Sequence, residues 1–105
     1  MPRLPKPYER FRRQYAEVWN AYDQLGAAAH RAGPLDEKSR ELVKLALAVG
    51  AQAEGAVHSH TRRALEMGIS PEEIRQVAVL ALATIGFPHM MAAMTWIDDV
   101  LDKQK

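Results

Sequence analysis

Tyr8, Phe11, Tyr15, Val18, Trp19, Tyr22 and Leu25 recur at steps of three and four along the chain. That spacing lines side chains up on one face of an α-helix. Arg12, Arg13, Glu17, Asn20 and Asp23 fall off the stripe, so the first predicted element is an amphipathic helix. It runs to His30 or Arg31 and is stopped by Gly33-Pro34. Pro2, Pro5 and Pro7 predict an extended arm over residues 1–7.

The next apolar positions leave little room for water. Asp36 is placed to cap a second helix, with Glu37 in its first turn. From Leu42 to Val49 only Lys44 is polar, which predicts a helix buried nearly all round. After Gly50, residues 52–67 read as a third helix ending at Gly68. Ser70-Pro71-Glu72-Glu73 is a capping box with proline at the first helical position. The helix it opens, 74–85, is apolar on nearly every side from Val77 onward. Gly86 and Pro88 separate it from a last helix, on which Met90, Met91, Met94, Ile97 and Leu101 form a stripe opposite Asp98, Asp99 and Asp102. No strand-like alternation appears, and the fold class predicted is an all-α bundle of about five helices.

With 105 residues the chain has room for one domain. Two helices without a polar face are hard to hide in so small a body, and the expected remedy is self-association into a homo-oligomer. The aromatic first helix and the Met-rich last helix are the candidate contact surfaces. A formal net charge of +1 gives no reason to expect nucleic acid or a membrane as partner. No apolar run reaches the length of a bilayer span, no signal sequence is visible at the start, and a cytoplasmic protein is the expectation. There is no cysteine, which removes disulfides, thiolate metal sites and thiol catalysis together.

Side chains with chemical capacity gather between Glu41 and His60. On a helix Ala53, Ala56 and His60 share one face, whereas His58 points away and lies one turn after Glu54. His60 reads either as a general acid/base or as a core histidine satisfied by a carboxylate or carbonyl. His58 and His60, two apart, splay on a helix and make a poor metal pair. Glu54 and His58 alone are too few for a closed metal site; a metal site that they complete with neighbouring subunits is the least favoured reading, and no metal or other cofactor is expected.

Several spaced segments together resemble one family. Residues 35–50, LDEKSRELVKLALAVG, are similar to the helix that precedes the active site in carboxymuconolactone decarboxylase-like and alkyl hydroperoxidase D-like proteins. Residues 60–68, HTRRALEMG, resemble their histidine, Ala-Leu helix and glycine segment. Ile69-Ser-Pro-Glu-Glu-Ile74 and Gly86-Phe-Pro88 resemble the next helix start and a later Gly-x-Pro turn. The likeness covers about residues 35–101 and implies a helical bundle assembled as a trimer or hexamer.

The peroxidase branch of that family carries a glutamate, two cysteines and a histidine. Laid on this chain, they fall on Glu41, Ala53, Ala56 and His60. The thiols are absent, and an alanine methyl can neither attack a peroxide nor close a disulfide. The decarboxylase branch also lacks the cysteine pair and keeps the histidine. Its second histidine, beyond the Gly-x-Pro turn, falls on the stretch Met90-Met91-Ala92 here.

The resemblance therefore implies cysteine-independent acid/base chemistry of the decarboxylase or lyase kind on a small organic acid or lactone. His60 and Glu41 are the expected catalytic pair, with Ala53, Ala56, Glu54 and His58 around the pocket. The alternative is a non-catalytic oligomeric binding or assembly module that has lost the redox site.

Overall fold

A computed structural model describes residues 5–104 as six α-helices and a closing 3-10 turn, with no strand among them. The helices are α1 (Lys6–Gln14), α2 (Ala16–Arg31), α3 (Glu37–Gly50), α4 (Glu54–Glu66), α5 (Pro71–Ile85) and α6 (Phe87–Leu101), followed by the turn at Asp102–Gln104. The all-α expectation holds, with one helix more than the sequence pattern separated. The extra helix comes from a break at Tyr15, whose φ of −130° and ψ of 56° leave the helical region. The apolar spacing in the sequence continues through that residue, so the pattern does not mark the break. Lys6 and Pro7, expected in an extended arm, instead open α1. Pro7 sits in the first turn of α1, where a missing N–H costs nothing, and residues 1–4 lie outside the described residues.

The chain forms two compact units, divided between Pro34 and Leu35. In the first, α1 and α2 hold a ladder of rings. Phe11 lies 5.3 Å from Tyr15 and 6.4 Å from Trp19, and Trp19 lies 6.2 Å from Tyr22. Neither helix has a buried residue. Two helices alone cannot enclose a core, so the stripe read from the sequence remains open.

The second unit is a four-helix bundle. α3 packs on α4 and α5, and α6 packs on the same two helices from the other side. Leu45, Val49, Val57, Ile74 and Ile97 are among its most deeply buried side chains. Each removes a branched apolar group from water, worth about 1.5–3 kcal/mol.

The helix boundaries follow the chemistry of the sequence. The Asp36 carboxylate accepts from the Ser39 amide at 2.7 Å. Ser70 and Glu73 form the reciprocal capping box at 3.1 Å on each side. Gly68, at φ +85°, ends α4 in the left-handed conformation that glycine adopts without strain.

The expectation that α3 and α5 are buried nearly all round is not met within one chain. Leu47 is 67% exposed and Leu80 66%, with Val43 and Val79 also open. These positions lie on the faces that α4 and α6 do not cover. The same holds for Met91 on α6, which the sequence placed on the apolar stripe and the structure leaves exposed, while Met90, Ile97 and Leu101 point into the core.

Candidate functional site

Glu41 and His60 meet across the α3–α4 contact. Glu41 lies one turn into α3, and only 7% of it is exposed. A buried carboxylate is costly unless it is paired, and its partner is His60 from the middle of α4. His60 Nδ1 lies 2.6 Å from Glu41 Oε2, and the imidazole side chain is 17% exposed. An ionised carboxylate can only accept, and in that pairing the ring donates from Nδ1. That arrangement leaves Nε2 as the nitrogen not committed to Glu41. A ring fixed at one nitrogen with the other uncommitted is the geometry a general acid/base requires.

The helix faces sort the remaining residues as their spacing implies. Ala53 is the N-cap of α4 and Ala56 is half-buried against the core. Glu54 is exposed on the first turn of α4. His58 turns to α6 instead, where its Nε2 lies 3.0 Å from Asp99 Oδ2. The structure thus makes two histidine–carboxylate pairs from neighbouring turns of α4. One is largely buried toward α3, and one is more open toward α6. Asp99 was legible only as a solvent-facing residue, since nothing in the sequence says which helix lies beside α6.

Gln52 is another residue the sequence did not single out. It occupies the turn between α3 and α4 with φ +53°, a left-handed conformation uncommon for a side chain of this kind. Its amide Nε2 donates to the carbonyls of Val49 at 3.0 Å and His89 at 2.9 Å. It therefore ties the entrance of α4 to the start of α6. His89 in turn places Nδ1 3.0 Å from the Ile85 carbonyl.

Of the three arginines near this region, Arg40 donates from Nη1 to the Leu35 carbonyl at 2.8 Å. Its Nε is buried without a hydrogen-bond partner among the described residues. Arg62 lines a small hollow with His58 and Asp99, and Arg63 is exposed.

A larger, open groove of about 460 Å³ runs between α3 and α5, walled by Leu42, Val43, Ala46, Val77, Leu80 and Ile85. Neither Glu41 nor His60 lines it. Its apolar walls continue the exposed faces of α3 and α5 rather than the face that carries the imidazole. No helix among the described residues is long and apolar enough to cross a membrane.

Comparison with known proteins bears on the whole of this arrangement. A carboxymuconolactone decarboxylase family protein from Legionella pneumophila has a similar solved structure, with a TM-score of 0.81 and 27% identity. That match covers 94% of this chain and 88% of the other. An uncharacterised protein of Methanocaldococcus jannaschii is 32% identical over 88 residues, 84% of this chain and 82% of its own. An uncharacterised protein of Haemophilus influenzae is 38% identical over 61 residues, 58% of this chain. A nitrosuccinic acid decarboxylase of Metarhizium robertsii is 36% identical over 73 residues, 66% of this chain. The matches span about half the length of the last two relatives, 54% and 51%. The sequence model of the Carboxymuconolactone decarboxylase family matches residues 14–99. With the helical bundle and the buried Glu41–His60 pair now in place, the chain belongs to the carboxymuconolactone decarboxylase family.

Proposed function

We propose that the protein carries out cysteine-independent lyase chemistry, decarboxylation above all, on a small organic acid or lactone, with His60 as the proton-transferring group. The observation that carries this reading is the 2.6 Å contact between His60 Nδ1 and Glu41 Oε2. Glu41 fixes the ring and its tautomer, and Nε2 exchanges the proton with substrate.

In a decarboxylation the bond from carbon to carboxylate breaks and carbon dioxide leaves. The electron pair delocalises into an adjacent acceptor such as a carbonyl or nitro group, while Nε2 takes the proton of the substrate's carboxyl group and passes it to the carbon left behind. Positioned proton transfer of this kind is worth about 10²- to 10⁴-fold in rate. The decarboxylase name of the Metarhizium relative supports the reaction class. The chain has no thiol, so a peroxidatic cysteine cycle has no nucleophile here.

A second reading is favoured by a different observation. Ala53 and Ala56 stand where the peroxidase branch has its thiols, and the Glu41–His60 bond joins two helices as a structural tie would. On that reading the protein is a binding or assembly module. In both readings the exposed Leu47 and Leu80 faces are covered by further copies of the chain, as a trimer or hexamer. Covering apolar surface of that kind is the strongest driving force for association.

Nitrogen NMR of the His60 ring distinguishes the two. Acid/base chemistry predicts that Nε2 shifts on addition of members of a panel of small β-keto acids, nitro acids and lactones. A ring that responds to none of them supports the module.

A further inference from the structure

The fold brings Asp99 beside Glu54 and His58, although 41 residues separate Asp99 from His58 in the sequence. Glu54 and His58 lie one turn apart on α4, and Asp99 joins them from α6. One ligand atom from each lies within 4.8 Å of the other two. We infer that Glu54, His58 and Asp99 form a binding site for a zinc-class divalent transition ion on the surface of the four-helix unit. This inference does not rest on the role assigned to His60, whose carboxylate partner lies on α3.

The spacing is that of ligands around one ion. Zinc bonds to imidazole nitrogen and carboxylate oxygen at about 2.0–2.2 Å, so neighbouring ligand atoms around one ion sit about 3 Å apart. His58 Nε2 and Asp99 Oδ2 are already 3.0 Å apart. Glu54 and Asp99 are exposed, so a rotation of the Glu54 side chain completes the set without moving backbone. The i,i+4 step from Glu54 to His58 places both donors over one turn of helix. Ligands from two helices hold the ion more firmly than a single helix face would.

The donor set selects the class of ion. One imidazole nitrogen suits zinc, nickel and copper, whereas calcium and magnesium demand six or more oxygen ligands. Three protein ligands also leave a coordination position open. Beside His58 and Asp99 lies a hollow of about 200 Å³, walled also by Arg62, Val100 and Lys103. The two cations weaken the pull on a bare metal ion, and they favour an anion, such as a carboxylate or hydroxide, as its fourth ligand.

Calorimetric titration of the chelator-stripped protein with zinc chloride alone tests the site. The expected result is saturable binding of one ion per chain in the micromolar range, weakened about tenfold or more, equivalent to about 1.4 kcal/mol, by either His58→Ala or Asp99→Asn. The loss of His89, an exposed imidazole elsewhere, leaves it unchanged in His89→Ala. Cobalt(II) gives an independent readout, as a visible absorption band that appears with the wild type and not with His58→Ala. Thermal melting without metal shows that each variant is folded, and zinc raises the Tm of the wild type and of His89→Ala by more than that of His58→Ala or Asp99→Asn. Binding that does not saturate at one ion per chain overturns the assignment. So does binding that survives in both His58→Ala and Asp99→Asn, or that is lost in His89→Ala.

Discussion

Glu41 and His60 are nineteen residues apart in the chain, and the carboxylate of one holds the imidazole of the other at 2.6 Å. The bond crosses from α3 to α4, so it serves folding and the orientation of the ring at once. Glu41→Gln keeps the shape and an acceptor for the Nδ1 proton while removing the charge. Its expected effect is a folding stability lower by about 1.5–3 kcal/mol, the range for a hydrogen bond to a charged group. Turnover by the acid/base route falls by about tenfold to a hundredfold as part of the contribution such catalysis makes. Urea denaturation checks the first effect and steady-state kinetics the second.

The core of the four-helix unit sets a separate expectation. Leu45 and Ile97 are fully buried, and α3 and α6, which carry them, pack against the same two helices. Leu45→Ala opens a cavity and costs about 2–5 kcal/mol, whereas Ile97→Val costs about 0.5–1.5 kcal/mol. Chemical denaturation of the two variants gives both values, and equal losses contradict the packing described.

Gln52 makes a prediction about sign. Its φ of +53° is strained for any residue with a Cβ, and its amide makes two hydrogen bonds. Gln52→Ala keeps the strain and loses both bonds, while Gln52→Gly loses the bonds and relieves the strain. The glycine variant is therefore the more stable of the two, by about 1 kcal/mol. Parallel thermal melts of the two variants reveal the order.

Acid titration probes the caps. The Ser39 amide holds the Asp36 carboxyl below its ordinary value of 3.8. Lys38, with help from Ser70, holds Glu73 below 4.5. A carboxyl whose pKa is depressed on folding stabilises the native state above its unfolded pKa, and that stability is lost as pH falls through the folded value. Lys38→Met and Ser70→Ala are therefore less stable than the wild type at about pH 6, Ser70→Ala by about 1 kcal/mol. The gap narrows toward about pH 3, where the unfolded chain is protonated in every case. Urea midpoints across that range give the comparison.

Self-association is tested on the faces that one chain leaves open. Sedimentation of the wild type is expected to give a multiple of the monomer mass, with Leu47→Glu and Leu80→Glu shifting it toward the monomer. A wild-type monomer removes the explanation offered for those exposed leucines.

Much of this was readable from the residues, and the reasons differ from place to place. Ser70, Glu73, Asp36 and Gly68 act on their own helix ends, so spacing alone places them correctly. The orientation of His60 away from His58 follows from 3.6 residues per turn, and the link to Glu41 came with the family resemblance. Tyr15 broke a helix without breaking the hydrophobic stripe, and so left no mark in the pattern. The pairing of Asp99 with His58 depends on which helices are neighbours, which is decided by packing over the whole bundle. Leu47 and Leu80 read as core because their apolarity registers burial without saying whether the cover comes from the same chain or another.

The central claim concerns the proton on His60, and the rate of carbon dioxide release measures it most directly. A β-keto or nitro acid identified by its effect on the ring nitrogen is offered to the wild type and to His60→Ala, with folding of both verified. The account predicts release by the wild type and a loss of about 10²-fold or more in the variant. Equal rates in the two proteins contradict it.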